Sequence, residues 1–79
     1  MVKMNQIDVK LYGTEHCHLC ERALEIILKA GVIVTLIDIV DDNELFEKYC
    51  MRIPVLQRSD TLAELDWPFD TTGVLQFLL

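Results

Sequence analysis

Basic residues are scarce in this sequence. Its 79 residues include 7 lysines and arginines against 13 aspartates and glutamates, which gives a formal net charge of −6 at pH 7, and the basic residues form no cluster. Proteins that bind the phosphate backbone of DNA or RNA depend on such clusters. We therefore expect no nucleic acid among the partners of this protein.

Long apolar runs are also missing. The longest one, residues 31–37, is interrupted by Thr35 and is far shorter than the roughly 20 residues that a membrane-spanning helix needs. Residues 1–6 contain no apolar segment of the kind found in signal peptides. Because 52% of the residues are hydrophobic, we expect one globular domain over residues 1–79. It is predicted to be soluble, cytoplasmic and monomeric, with no membrane partner.

Cysteine is rare too, and three copies do not suit the paired disulfide framework of a small secreted protein. Cys17 and Cys20 lie where a strand-like run at 7–12 gives way to a helix-like run at 19–30. On the first turn of a helix two such residues share a face, within reach of a disulfide, and the helix N-terminus favours a thiolate. The spacing predicts a redox-active pair. Buried structural thiols, or metal ligands together with the neighbouring histidines, are the alternatives.

The apolar pattern predicts the order β-α-β-α-β-β-α. Residues 32–39 are almost continuously apolar and β-branched, which predicts a strand that is covered on both faces. A small mixed sheet with helices on both faces is the compact arrangement for this order. The predicted elements are strands at 7–12, 32–39, 53–57 and 61–65, and helices at 19–30, from the acidic run 41–44 onward, and at 71–79 after a capping Asp70.

Each predicted helix has an apolar face, which we expect to be buried. We also expect ion pairs between Glu25 and Lys29 and between Glu44 and Lys48 on the outer faces. The predicted buried faces are Leu19, Ala23, Ile26, Ile27 and Ala30 in the first helix, Leu45, Phe46 and Tyr49 in the second, and Val74, Leu75, Leu78 and Leu79 in the third.

Three short strings carry a resemblance to a known family. They are Cys-His-Leu-Cys-Glu at 17–21, Arg-Ile-Pro-Val-Leu at 52–56 and Glu-Leu-Asp-Trp-Pro-Phe-Asp at 64–70. Set in the predicted order of elements, they resemble a family of small glutaredoxin-like proteins, and the resemblance covers nearly the whole chain. It implies a thioredoxin-like α/β fold in its minimal glutaredoxin form, with a four-stranded mixed sheet.

The resemblance also implies thiol–disulfide exchange. Cys17 would be the nucleophile and Cys20 the resolving thiol. Pro54 would follow a cis peptide bond and face the two cysteines, and Ile53 would offer backbone groups to an extended substrate. The expected substrates are protein disulfides or mixed disulfides with glutathione. A reductase or glutathione would supply electrons, and no bound cofactor or metal is expected.

The sequence departs from the usual glutaredoxin pattern near the cysteines. His18 and Leu19 replace Pro-Tyr, and Thr14 replaces a lysine. Arg52 stands where a threonine is usual, and residues 64–67 lack the Gly-Gly that holds glutathione. His18 and Arg52 are therefore candidate tuning residues, because a nearby cation stabilises a thiolate.

The remaining candidates have ordinary structural explanations beside a functional one. Trp67 is a candidate for shaping the substrate surface, although such residues more often pack in a core. Cys50, at the predicted end of the second helix, is expected to be a small buried or cap-position residue, and a third redox thiol or a glutathionylation site is the alternative. His16 is expected in a loop. A non-catalytic binding module with a redox-sensitive latch, or a metal-binding protein, remains an alternative to an enzyme.

Overall fold

The computed structural model describes residues 8–79. Ile7, the first residue of the first predicted strand, lies outside them, as do residues 1–6, in which no signal peptide is expected. Within the described range, no helix is long and apolar enough to cross a membrane. The predicted order of elements is confirmed. The elements are β1 (Val9–Gly13), α1 (His18–Lys29), β2 (Thr35–Asp38), a short 3-10 helix (Ile39–Asp41), α2 (Asn43–Tyr49), β3 (Val55–Arg58), β4 (Glu64–Asp66) and α3 (Thr71–Phe77).

The four strands form one mixed sheet in the order β2-β1-β3-β4. β1 and β2 run parallel, because α1 connects them as a crossover, and the other two pairings are antiparallel. β1, α1 and β2 form a βαβ unit, and β3 and β4 form an antiparallel hairpin. The turn of the hairpin is longer than the gap 58–60 between the two predicted strands, since the backbone N–H of Arg58 bonds the carbonyl of Ala63.

Apolar side chains are buried on both faces of the sheet. Neighbouring residues of a strand point to opposite faces, so Leu11 and Tyr12 belong to different clusters. The face that carries α1 and α3 is called the α1 face, and the opposite one the α2 face. The α1 face buries Val9, Leu11, Ala23, Ile27, Leu56 and Val74, and the α2 face buries Tyr12, Ile39, Tyr49 and Val55.

The prediction that the second strand is covered on both faces is wrong. β2 covers only Thr35–Asp38 of the apolar run, and it lies at the edge of the sheet, where β1 is its one partner strand among residues 8–79. Leu36 points to the α1 face, in register with Leu11, yet 59% of it is exposed. The apolar pattern was therefore a correct signal for parallel pairing and a misleading one for burial.

The buried helix faces are narrower than the sequence predicts. Phe46 in α2 and Leu75 in α3 are about half exposed, and Leu79, which lies beyond α3, is almost fully exposed. A helix of seven residues has about two turns, so it lays a single row of side chains on the sheet. Tyr49 and Val74 occupy that row and are fully buried.

Aspartates begin α2 and α3. Oδ1 of Asp42 accepts hydrogen bonds from two backbone N–H groups of α2, and Oδ1 of Asp70 accepts one from Gly73 at 2.7 Å. The predicted cap at Asp70 is therefore confirmed. The expected ion pairs along the outer faces of α1 and α2 are not formed. Between residues 8 and 79 the ion pairs are Arg52–Glu64, Arg52–Asp66 and Arg58–Asp60.

We expect Leu56→Ala to lower the free energy of unfolding by about 3 kcal/mol, because the side chain of Leu56 is fully buried and its truncation leaves a cavity in the core. Leu28→Ala is the matched control, since Leu28 is 58% exposed on α1 and its truncation should change stability by less than about 0.5 kcal/mol. Urea unfolding followed by circular dichroism measures both values. Equal losses in the two variants would contradict this placement of the core.

Candidate active site

The turn between β1 and α1 places Cys17 at the start of the helix. Cys17 has an extended backbone (φ −100°, ψ 105°) and precedes His18, the first helical residue, so it is the N-cap. Its Sγ accepts a hydrogen bond from the backbone N–H of Cys20, with an N···S distance of 3.2 Å. The first N–H groups of a helix have no partner within the helix, and a side chain at the N-cap supplies one. The sulfur therefore lies at the positive end of the helix dipole.

Cys17 and Cys20 are joined by a disulfide, with their Cα atoms 5.2 Å apart. The two residues differ in accessibility, since Cys17 is partly exposed whereas Cys20 is buried at 8% exposure. Leu19, which was predicted to face the core, is 43% exposed instead. The reason is that Cys20 takes the inward position in the first turn. The arrangement presents one sulfur to solvent and keeps the other beneath the helix.

Gly13, the last residue of β1, lies under Cys20. A Cβ atom at this position would come within 3.0 Å of the Cys20 Sγ and 3.3 Å of its Cβ. The absence of a side chain thus lets the first turn of α1 approach the end of β1. Sequence reasoning did not single out Gly13, because a close approach of this kind leaves no local pattern.

The strand register places Pro54 and Trp67 in line with Gly13. Tyr12 lies opposite Val55, and Val55 lies opposite Asp66. Pro54 directly precedes β3 and Trp67 directly follows β4, so extending the antiparallel register by one residue aligns both with Gly13. On the other side of β1, Gly13 is in register with Asp38 of β2. The row extended in this way runs from Asp38 through Gly13 to Pro54 and Trp67, and the Cys20 sulfur lies over Gly13. That Pro54 faces the two cysteines stays a prediction.

Two prolines near this row follow cis peptide bonds. The bond between Ile53 and Pro54 is cis, as the resemblance implied, and Pro54 is buried. The bond between Trp67 and Pro68 is also cis, which no feature of the sequence had indicated. The indole of Trp67 contacts Phe69 edge to face, with ring centroids 5.1 Å apart, and both rings pack against the α1-face cluster. The role of Trp67 toward a substrate stays a prediction.

The backbone of Ile53 is already engaged in part. Its N–H donates a hydrogen bond to the carbonyl of Tyr49 at 3.0 Å, and its side chain packs against the α2-face cluster. Cys50 ends α2 and is partly buried against the same cluster, in the position expected for it. The part that Ile53 would play in binding an extended substrate stays a prediction.

Both histidines near the motif are exposed. His18 begins α1, and His16 has a left-handed backbone conformation (φ 62°) that is uncommon for a residue with a side chain. In the described part of the chain, no three side chains of Cys, His, Asp or Glu are placed to hold a metal ion. His16 lies in the turn between β1 and α1, so its expected place in a loop is confirmed. The tuning role of His18 stays a prediction.

Arg52 contacts carboxylates on the α2 face rather than the cysteines on the α1 face. Its guanidinium lies 2.6 Å from an oxygen of Glu64 and 2.8 Å from an oxygen of Asp66, both in β4. The backbone N–H of Arg52 bonds the carbonyl of Tyr49 at 2.7 Å. Arg52 therefore ties the segment before Pro54 to β4. An effect of its charge on the Cys17 thiolate stays a prediction.

A polar network on the α2 face surrounds the ion pair between Arg52 and Glu64. The hydroxyl of Tyr49 donates to Glu64, and the hydroxyl of Tyr12 donates to the side-chain carbonyl of Gln57 at 2.8 Å. The two tyrosine rings are stacked, with centroids 4.3 Å apart. Sequence reasoning placed Tyr49 on the apolar, buried face of the second helix and did not anticipate the network. Its partners come from distant segments, so no local spacing indicates it.

The network shifts the pKa values of its members. Burial and the hydrogen bond to Glu64 raise the pKa of the Tyr49 hydroxyl. Burial alone would raise the pKa of Glu64, but the hydrogen bonds from Tyr49 and Arg52 together outweigh it and lower that pKa. Glu64 is therefore held as a carboxylate between two donors.

We expect Gly13→Ala to destabilise the protein by about 1–3 kcal/mol, because the new methyl group meets the Cys20 Sγ. The same substitution made in a Cys20→Ala background should cost less, since the sulfur that it meets is gone. Urea unfolding of the four proteins gives this coupling as a double-mutant cycle. Additive losses would show that Gly13 and Cys20 do not pack as described.

We expect Glu64→Gln to lower the free energy of unfolding at pH 7 by about 1–2 kcal/mol, because the acceptor of the hydrogen bonds from Tyr49 and Arg52 loses its charge. The pKa of Glu64 is lower in the folded state, so its contribution is complete above the unfolded pKa of about 4.3 and is lost as the pH falls through the folded pKa.

The difference in the free energy of unfolding between wild type and Glu64→Gln should therefore become smaller as the pH falls. Urea unfolding from neutral pH down to about pH 3, which is below the unfolded pKa, measures it. Glu47→Gln is the control, since Glu47 is exposed on α2 and belongs to none of the ion pairs in residues 8–79. A difference that stays constant down to the lowest pH would be evidence against a charged Glu64 in the network.

Comparison with known proteins adds three solved structures. The crystal structure of XcR50 from X. campestris, a structural genomics target, is 37% identical and has a TM-score of 0.82, and the match covers 89% of this chain and 93% of that one. The solution structure of the same protein is 36% identical with a TM-score of 0.81, covering 90% and 91%. Protein Ne2328 from Nitrosomonas europaea is 25% identical with a TM-score of 0.77, covering 100% and 99%. No match is found among curated proteins.

The family comparison covers the same extent of the chain as the described structure. The model of the glutaredoxin-like domain (DUF836) matches residues 8–79. The predicted thioredoxin-like fold is confirmed, with its mixed four-stranded sheet and three helices. The chain thus belongs to the glutaredoxin-like domain family, and Cys17 and Cys20 form its Cys-x-x-Cys pair.

Proposed function

We propose that this protein is a small thiol–disulfide oxidoreductase that cycles Cys17 and Cys20 between dithiol and disulfide. The observation that carries this proposal is the pair of sulfurs at the start of α1, one accessible and one buried. Exchange needs one thiolate that can reach a substrate and a second thiol that can reach the first. Cys17 is the accessible sulfur that can reach a substrate, and Cys20 is the second sulfur that can reach Cys17.

The surroundings of Cys17 favour its thiolate over its thiol. The backbone N–H of Cys20 points at the Cys17 Sγ, and a negatively charged sulfur accepts such a bond more strongly than a neutral one. The helix dipole acts in the same direction. Glu15 and Glu21 oppose it, but both are exposed to solvent, which screens their charge.

The proposed reaction moves two electrons to the substrate. The Cys17 thiolate attacks one sulfur of a substrate disulfide, so that a mixed disulfide forms and the other substrate sulfur leaves as a thiolate. The Cys20 thiol loses its proton and attacks the Cys17 sulfur. The Cys17–Cys20 disulfide forms, and the second substrate sulfur leaves. The substrate disulfide is reduced to two thiols, and the enzyme dithiol is oxidised.

The proposed substrates are protein disulfides or mixed disulfides with glutathione. The Cys17–Cys20 disulfide must be reduced again before the next turnover, and we propose that a reductase or glutathione supplies these electrons. No bound cofactor or metal takes part in this scheme. The reducing cytoplasm is the proposed location, since it keeps such a pair available as a dithiol. The backbone carbonyl of Ile53, next to Pro54, is the proposed contact for an extended substrate.

We expect wild type to catalyse the reduction of insulin and of a mixed disulfide between a peptide and glutathione, in assays driven by dithiothreitol or by glutathione with its reductase. Cys17→Ser should reduce the rate to the uncatalysed level, because the attacking sulfur is gone. Cys20→Ser should accumulate a mixed disulfide on Cys17, which mass spectrometry detects. Cys50→Ser is the control and should retain wild-type activity.

Absence of catalysis by wild type with each of these substrates and reductants would refute the proposal. A redox titration of the pair against glutathione separates the two electron donors. A stable mixed disulfide between Cys17 and glutathione would favour glutathione, and a potential too low for the glutathione pool would favour a reductase.

A further inference from the structure

A groove of about 610 Å³ lies between α1 and the edge strand β2, next to the cysteine pair. Its apolar lining includes Leu11 and Leu36 from the sheet and Leu24 from α1. Cys20 contributes to the same lining at one end. The groove exists because β2 is the edge strand and α1 leaves Leu36 largely uncovered, so we call it the α1–β2 groove.

Three carboxylates line the end of the groove nearest the cysteines. They belong to Glu15 in the turn before Cys17, Glu21 in the first turn of α1, and Asp38 at the end of β2. His16 is the one basic residue of the lining. None of the three carboxylates belongs to an ion pair within residues 8–79, although Oδ1 of Asp38 accepts a hydrogen bond from the backbone N–H of Val40. The groove therefore combines apolar walls with negative charge.

The groove lies on the opposite side of the motif from Pro54. Asp38 of β2 is in register with Gly13 on one side of β1, and Pro54, which directly precedes β3, lies on the other side. The Cα of Cys20, which lines the groove, is 5.2 Å from that of Cys17. Two residues of an extended peptide span about 7 Å. A substrate whose cysteine reaches Cys17 can thus place a residue two positions away into the α1–β2 groove.

We propose that the α1–β2 groove binds a lysine or arginine two residues away from the cysteine of a protein disulfide, and so selects cationic protein substrates. The aliphatic stem of such a side chain fits the leucine walls, and its charged end reaches the three carboxylates. Glutathione has a net negative charge at neutral pH, so it is the disfavoured partner here. This inference rests on the proposed function and names the substrate class of that site.

The first test compares two peptides that each carry a mixed disulfide with the same chromogenic thiol. In one, a lysine stands two residues from the cysteine on each side, with a leucine between, and in the other, glutamates replace the two lysines. Wild type should reduce the lysine peptide with a kcat/KM about five- to tenfold higher, roughly the effect of two surface ion pairs. The ratio should fall as ionic strength rises from about 0.02 to about 0.5 M.

Substitutions at groove residues test whether the preference for the lysine peptide arises in the α1–β2 groove. Glu21→Gln and Glu15→Gln should each lower the ratio between the two peptides, whereas Glu47→Gln, on the α2 face, should leave it unchanged. The ratio is the right measure because a change in the Cys17 thiolate affects both peptides equally. Leu36→Lys, which places a cation in the groove at an exposed position, should abolish or reverse the preference.

The second test measures binding without chemistry. Peptides of the same two sequences, with serine in place of cysteine, are titrated into the wild-type protein while backbone amide signals are followed by NMR. We expect the lysine peptide to shift the signals of Glu15, Glu21 and Leu36 at lower concentration than the glutamate peptide. Equal binding, or shifts confined to the Pro54 side, would overturn the inference.

The two tests separate this inference from the proposed function. If wild type reduces both peptides at the same rate, the proposed function stands and the preference for cationic substrates is wrong. If neither peptide is reduced but the lysine peptide binds selectively in the groove, the groove assignment stands and the proposed oxidoreductase activity is wrong. If glutathione mixed disulfides are reduced faster than both peptides, the preference is also wrong.

Discussion

The close contact between the end of β1 and the first turn of α1 is the constraint on which the site depends. The Cys20 sulfur rests on the backbone of Gly13, and this brings the helix start over the sheet. Once the helix lies there, Cys17 becomes its N-cap, and its sulfur meets a backbone N–H that would otherwise lack a partner. A single position without a side chain thus sets both the depth of one cysteine and the electrostatic surroundings of the other.

The two faces of the sheet divide the structural tasks. The α1 face carries the cysteine pair and the larger apolar cluster. The α2 face carries a network in which Glu64 accepts hydrogen bonds from Tyr49 and Arg52. Because Arg52 comes two residues before Pro54, the network anchors the segment that leads into the row beside the cysteines. The chemistry proposed on one face is therefore supported mechanically from the other.

The sequence was most informative where local physics decides the structure. Periodicity identified the three α-helices and the four strands, since alternating and helical spacings reflect which side chains can face a core, but it did not indicate the 3-10 helix at Ile39–Asp41. The cis bond before Pro54 followed from resemblance, whereas the one before Pro68 had no recognised signal. Burial of β2 was wrongly predicted because the order of strands in the sheet, which places β2 at an edge, is not a local property. The ion pairs of Arg52 join residues 12 and 14 positions apart, and the α1–β2 groove arises from how a helix sits on a sheet.

The exposed edge of β2 bears on how this protein behaves in concentrated solution. An unpaired strand edge can recruit a strand from another molecule and so begin an aggregate. Here the strand is only four residues long, it ends at an acidic residue, and a 3-10 helix follows at once. So short a ladder gives an incoming chain few hydrogen bonds, and a surface with an excess of negative charge repels further copies. The edge strand can therefore remain open beside the cysteine pair without becoming a template for fibres.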